Sequence, residues 1–190
     1  MATGKDVADV AEKVVGYRRA GLRSCVVGLV TFDITESGMC ARFVRECHEA
    51  ALGHAEQTWP YRGARALDVN DNLKAAGLTV TDRQRGDVVC FSGGEYGHIV
   101  VWLGDGLVAE NTSSSKRGDP RAAGTKITPL ADIGTSRIIG WYRPLPAADQ
   151  FETAWQWARE YGIVKTVDYD PQIGRMLEIL RRYAEKTNRP

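Results

Sequence analysis

The sequence predicts an α+β fold in which helices come first and an antiparallel sheet second. Three observations carry this. Apolar residues recur at helical spacing through the first third of the chain. From Gly86 the period changes to short apolar runs separated by glycine-rich turns. After Pro144 and Pro146 the spacing turns helical again. Segregated helices and strands of this kind belong to α+β rather than to βαβ architectures.

The opening segment reads as a helix capped by Thr3, with Val7, Val10, Ala11 and Val14 on one face. Residues 17–39 are ambiguous: Cys25 to Phe32 fits a buried strand or part of a loop, and Thr35 to Gly38 is turn-like. A second helix begins at Cys40. Its stripe is Cys40, Phe43, Val44, Cys47 and Ala51, and Gly53 supplies the stop. A weaker third helix spans about residues 64–76. Strands are expected at Asp87–Phe91, His98–Leu103, Leu107–Asn111 and Arg137–Tyr142, the middle pair joined through Gly104-Asp105-Gly106. A polar loop, Thr112 to Thr125, carries Lys116, Arg117 and Arg121. The catalytic-sized domain is therefore expected over 1–145. A two-helix segment is expected over 146–190, with stripes at Phe151, Ala154, Trp155 and Ala158 and at Ile173, Met176, Leu177, Leu180 and Tyr183. Seven basic and seven acidic residues in that segment make it neutral, so its expected role is accessory, by packing, rather than electrostatic anchoring.

Composition narrows the function. The chain has 190 residues, 43% hydrophobic and 26% charged, which suits a soluble globular domain and excludes disordered and fibrous classes. Lysine plus arginine is 25 against 24 acidic residues, without the basic excess of a nucleic-acid binder. The longest apolar runs, Cys25–Val30 and Ile99–Leu103, are far short of the ~20 residues of a membrane span. The first residues show no apolar signal segment, so the protein is expected to be made in the cytoplasm. Four cysteines at irregular spacing inside apolar patterns read as reduced thiols, not as a disulfide framework.

Two residues draw chemical attention. Cys40 opens a helix, where amide N–H groups and the positive end of the helix dipole favour thiolate over thiol. His98 starts the apolar strand Ile99–Leu103, and a polar ring at the mouth of a buried strand needs partners. A thiol on one side and an orienting carboxylate or amide on the other meet that need. Hairpin parity decides the third residue. A three-residue loop, Gly104 to Gly106, places Glu110 on the face of His98, whereas a two-residue turn at Asp105-Gly106 places Asn111 there. Glycine at the third loop position favours Glu110. The other histidines, His48 on the outer side of the second helix and His54 after its stop, read as solvated. Cys40, Cys47 and His48 lack zinc-ligand spacing, Ser92-Gly93-Gly94 precedes a strand rather than a helix, and no G-x-S-x-G occurs.

Met39-Cys-Ala-Arg-Phe-Val44, Arg85-Gly-Asp-Val-Val-Cys-Phe91 and the run from Gly97 through His98 and the glycine hairpin to Glu110 resemble NlpC-type and CHAP-type cell-wall cysteine peptidases. Glu110-Asn-Thr-Ser-Ser114, Ile127-Thr-Pro-Leu130 and Gly140-Trp-Tyr-Arg143 look like versions found in phage lysins. The resemblance covers roughly residues 5–143. It implies a papain-like domain with Cys40 as nucleophile, His98 as general base and Glu110 as the residue orienting the imidazole, with Asn111 the alternative. It also implies hydrolysis of an amide bond of bacterial peptidoglycan, by an endopeptidase or an N-acetylmuramoyl-L-alanine amidase, without a metal or organic cofactor. The site of action would then be the cell wall, reached by a phage lysin or an exported effector. The basic residues Lys116, Arg117 and Arg121 are candidates for meeting stem-peptide carboxylates. The family's common Asp-Cys-Ser-Gly is Met39-Cys-Ala-Arg42 here, and no Tyr-x-Trp-Gly-Gly precedes it, so the tyrosine that some members place near the nucleophile does not carry over. An acyltransferase or deamidating toxin of the same fold, and a non-catalytic wall-binding module, remain the alternatives.

Overall fold

A computed structural model of the chain describes residues 2–113 and 123–145. The chain divides into a compact unit, Ala2–Pro144, and a second unit containing Leu145–Pro190. The expected C-terminal helices over 146–190 lie outside the described residues, as do Lys116, Arg117 and Arg121.

The first unit is α+β. Helix α1 (Gly4–Arg19) leads to a hairpin of β1 (Ser24–Val27) and β2 (Val30–Asp33), then to helices α2 (Cys40–Ala51) and α3 (Ala66–Ala75). Strands β3 (Val88–Phe91), β4 (His98–Gly104), β5 (Leu107–Thr112) and β6 (Gly124–Pro129) follow. A short helical turn, α4 (Leu130–Ile133), then precedes β7 (Ile138–Tyr142). The five later strands form one antiparallel sheet in the order β6-β5-β4-β3-β7. The ambiguous segment around Cys25 to Phe32 is thus resolved into a separate two-stranded ribbon.

Thr3 caps α1 as its residue type requires. The Asp6 carboxylate accepts from the Thr3 backbone N–H at 2.6 Å and from its hydroxyl at 2.8 Å. The helix buries Val7, Ala8, Ala11, Val14 and Val15. One sheet face carries Val89, Phe91, Val100 and Val108, which form a core with Leu130 and Ile133 and pack against Trp102, Ile138 and Trp141. The alternate residues Cys90, Ile99, Val101 and Ala109 point the other way. They are all buried, beneath α1 and α2. The Gly-Asp that precedes β3 has a structural reason. Asp87 accepts the Gln84 N–H at 2.7 Å and both Nε (2.9 Å) and Nη2 (3.1 Å) of Arg143, closing the far end of the sheet around a buried ion pair.

Three expectations need correction. The β4–β5 connection is a two-residue turn, with Gly104 opposite Leu107 and positive φ at Asp105 and Gly106, not a three-residue loop. A bulge between Trp102 and Gly104 inserts one extra residue, so Val101 faces Ala109 and Trp102 faces Val108. The bulge reverses the parity change that the shorter turn would have caused, and Glu110 still shares the face of His98. Second, the polar loop ends earlier than expected, because Gly124–Pro129 is a full strand. Third, His48 is fully buried rather than solvated. The connection after α2 folds over that side of the helix, stacking Trp59 on the imidazole with centroids 4.7 Å apart, while His48 Nδ1 meets the Val44 carbonyl oxygen at 2.8 Å.

Candidate active site

The site assembles where the start of α2 meets the first residue of β4. Cys40 occupies the first turn of α2, so the N–H groups beside it have no carbonyl one turn back to bond. The Ala41 N–H, the Ile99 N–H of β4 and the His98 ring all lie close enough to the Cys40 sulfur to favour its thiolate. His98 Nε2 lies 2.7 Å from Glu110 Oε2, which leaves Nδ1 for the sulfur. Glu110 is fully buried, while the His98 side chain keeps 16% of its surface open to solvent. The three sequence-predicted residues Cys40, His98 and Glu110 are therefore in line.

Local backbone chemistry holds the imidazole in place. Gly97 has φ 69°, and a Cβ there would come within 2.8 Å of Leu67 Cδ2. Glycine before His98 thus lets the turn close, with the Gly97 N–H on the Gly93 carbonyl at 3.1 Å. The Phe91 ring, directly across the β3–β4 ladder, sits 6.0 Å from the imidazole.

Electrostatics follow from these contacts. Burial alone would push the Cys40 thiol up; the His98 ring, together with the Ile99 and Ala41 N–H groups, outweighs it and holds the thiol below its ordinary value of 9.0. Burial would likewise pull His98 down, but the hydrogen bonds and charges of Cys40 and Glu110 raise it from 6.5 to about 9. Both shifts favour a thiolate beside an imidazolium, the state in which both ring N–H groups donate. The other thiols behave oppositely: burial raises Cys25, Cys47 and Cys90, and all four cysteines are free. Cys40 is the one thiol chemically prepared to be a nucleophile.

Two residues that sequence reasoning missed complete the carboxylate's surroundings. The Thr128 hydroxyl donates to Glu110 Oε1, and Lys126 Nζ lies 4.0 Å from the same oxygen. Both come from β6, where Lys126 pairs with Glu110 across the ladder and Thr128 is its diagonal neighbour. Burial along Thr125-Lys126-Ile127-Thr128 does not alternate, with one buried threonine on each face, so the strand lacks the usual sequence pattern.

Asn111 is placed elsewhere. As the next residue on β5 it points to the opposite face, where its Oδ1 accepts the Met39 N–H at 2.9 Å. Its Nδ2 donates to the Glu36 carbonyl at 2.8 Å and to Thr125 Oγ1 at 3.1 Å. The imidazole takes its carboxylate partner from Glu110, and the amide of Asn111 holds the loop that leads into Cys40.

Among the described residues, no three His, Cys, Asp or Glu side chains gather in a way that would hold a metal ion, and no helix is long and apolar enough to cross a membrane. No family model matches the chain, and no curated protein is significantly similar to it.

Proposed function

We propose that this protein is a papain-like cysteine hydrolase of the NlpC/CHAP kind that cleaves an amide bond of bacterial peptidoglycan. The observation that carries the reading is the line Cys40–His98–Glu110, with the thiol lowered and the imidazole raised to about 9 by their mutual contact. Cys40 thiolate attacks the amide carbonyl and forms the C–S bond. The negative charge moves to the carbonyl oxygen, where N–H groups at the start of α2, that of Cys40 among them, are placed to receive it. His98 delivers its Nδ1 proton to the leaving amine as the C–N bond breaks, leaving a thioester on Cys40. The neutral imidazole then takes a proton from water, the hydroxide attacks the thioester, and the acid product leaves as the thiolate–imidazolium pair is restored. Glu110 stays ionised and orients the ring through Nε2.

The peptidoglycan assignment rests on the motif resemblance, and the chemistry on the site. The test is mass spectrometry of sacculi digested with the wild type and with Cys40→Ala. Soluble fragments are expected from the wild type alone, and their new termini distinguish an endopeptidase from an amidase. Release by neither protein from several wall types overturns the substrate assignment. Transfer to an added amine in place of water would make the protein an acyltransferase.

A further inference from the structure

We infer that Asn111 is a positioning residue for the nucleophile: it clamps the loop 34–39 so that Cys40 meets His98 and the Ile99 N–H together. The inference rests on Cys40 being the reactive thiol. Glu110 and Asn111 are consecutive on one strand, β5, paired on both sides, and their side chains leave it on opposite faces. Glu110 fixes the imidazole from one face. Asn111, 2% exposed, fixes from the other the two backbone groups that define the approach to Cys40, the Met39 N–H and the Glu36 carbonyl.

The rest of the loop is tied less firmly. Asp33 Oδ1 accepts the N–H groups of Thr35 (3.1 Å) and Glu36 (3.2 Å), which shapes the loop's start but leaves its far end to other contacts. Met39 caps α2 without a side-chain hydrogen bond, so the helix start has no cap of its own to locate it. Arg42 bridges Glu36 of the loop and the buried Glu46. Beneath the loop is a small recess of about 10 Å³, room for one water molecule, bordered by Ile34, Met39, Phe43, Asn111 and Thr125. Truncating Asn111 enlarges that space and removes both bonds to the loop. Met39, and Cys40 with it, then has room to move away from His98. The sulfur is held by directional contacts from two different elements, and a shift of the helix start weakens all of them at once.

The experiment needs no wall substrate, so its failure and that of the peptidoglycan assignment are read separately. Alkylation of Cys40 by iodoacetamide is followed in the full-length protein as a function of pH, with the modified peptide identified by mass spectrometry. For Asn111→Ala, folded by circular dichroism, alkylation at about pH 6 is expected to be roughly tenfold slower than in the wild type, the scale of one or two lost hydrogen bonds. The apparent thiol pKa should rise, while the rate at the alkaline plateau stays equal. A purely structural role would lower the melting temperature and leave the pH profile unchanged, and that result overturns the inference. If Asn111→Ala does not fold, Asn111→Thr, which suits a strand and puts a hydroxyl in place of the amide, is read by the same two outcomes.

Discussion

Replacing Glu110 by Gln isolates the charge behind the imidazole. The amide keeps the size of the carboxylate and an oxygen that can accept the His98 Nε2–H, so the change is one of charge rather than shape. In the wild type the carboxylate oxygen stands 2.7 Å from Nε2, with 1% of the side chain exposed. Unit charges about 4 Å apart attract by ~4 kcal/mol at an effective dielectric of ~20. The retained neutral hydrogen bond offsets part of this, leaving about 2 to 3 kcal/mol. The displacement of His98 from 6.5 to about 9 amounts to ~3 kcal/mol and is shared between Cys40 and Glu110, so the two figures are of the same size. The equilibrium constant for the thiolate–imidazolium pair should therefore fall about 30- to 150-fold in Glu110→Gln, which brings the His98 titration from about 9 down toward neutrality. Two assays read it. Proton NMR of the His98 ring should titrate near 9 in the wild type and markedly lower in the variant, and Cys40 alkylation near neutral pH should slow correspondingly. A folded Glu110→Gln protein with an unchanged His98 titration would refute the charge argument and leave Glu110 a packing residue.

Three further predictions follow from the same contacts. Hydrolytic kcat/KM should be bell-shaped in pH, falling on the acid side as the lowered Cys40 thiol protonates and on the alkaline side near 9 as His98 loses its proton; because His98 is raised, its contribution to folding stability is complete below about 6.5 and lost as the pH rises through about 9, and an alkaline limb near 6.5 would contradict the ion pair. Thr128→Val should lower kcat about three- to tenfold at unchanged KM by releasing Glu110 Oε1, whereas Thr128→Ser should stay near the wild type; full activity in Thr128→Val with a loss in Thr128→Ser would show that the methyl group, not the hydroxyl, matters. Asp87→Ala leaves the Arg143 guanidinium, 6% exposed, without its carboxylate, and should cost about 3 to 5 kcal/mol in urea unfolding; a loss under about 1 kcal/mol would show that Asp82 holds Arg143 unaided.

The parts of the site legible in the sequence were those with a local signature. Cys40 stands at the start of an amphipathic stripe, and His98 interrupts an apolar strand at its first position; each signals itself within a few residues. Glu110 needed a register argument. The expected loop length was wrong and the face correct, because the bulge at Leu103 and the shorter turn are compensating one-residue changes. What stayed hidden was set by tertiary cover. His48 lies outside the stripe of α2, and only the later connection carrying Trp59 buries it. β6 shows little apolar alternation because its inward residues serve a buried carboxylate and a buried amide, and polar positions facing inward look like a loop when read one strand at a time.

The same reversal explains why β6 has the residues it does. A buried Glu110 with one oxygen given to His98 would still face a desolvation cost at the other. Thr128 meets that oxygen with a hydroxyl and Lys126 sets a positive charge 4.0 Å away, both from positions that the ladder fixes opposite or diagonal to Glu110. On the other face, Thr125 pairs with Asn111 across the same ladder and supplies a hydroxyl to its amide. One edge strand thus supports two consecutive residues of β5 that work in opposite directions, one toward the His98 imidazole and one toward the loop that leads into Cys40. A one-residue slip between β5 and β6 would exchange these partners and leave both polar groups of β5 facing the wrong side chains, so the register of this pair is tied to the chemistry of the site as well as to the core.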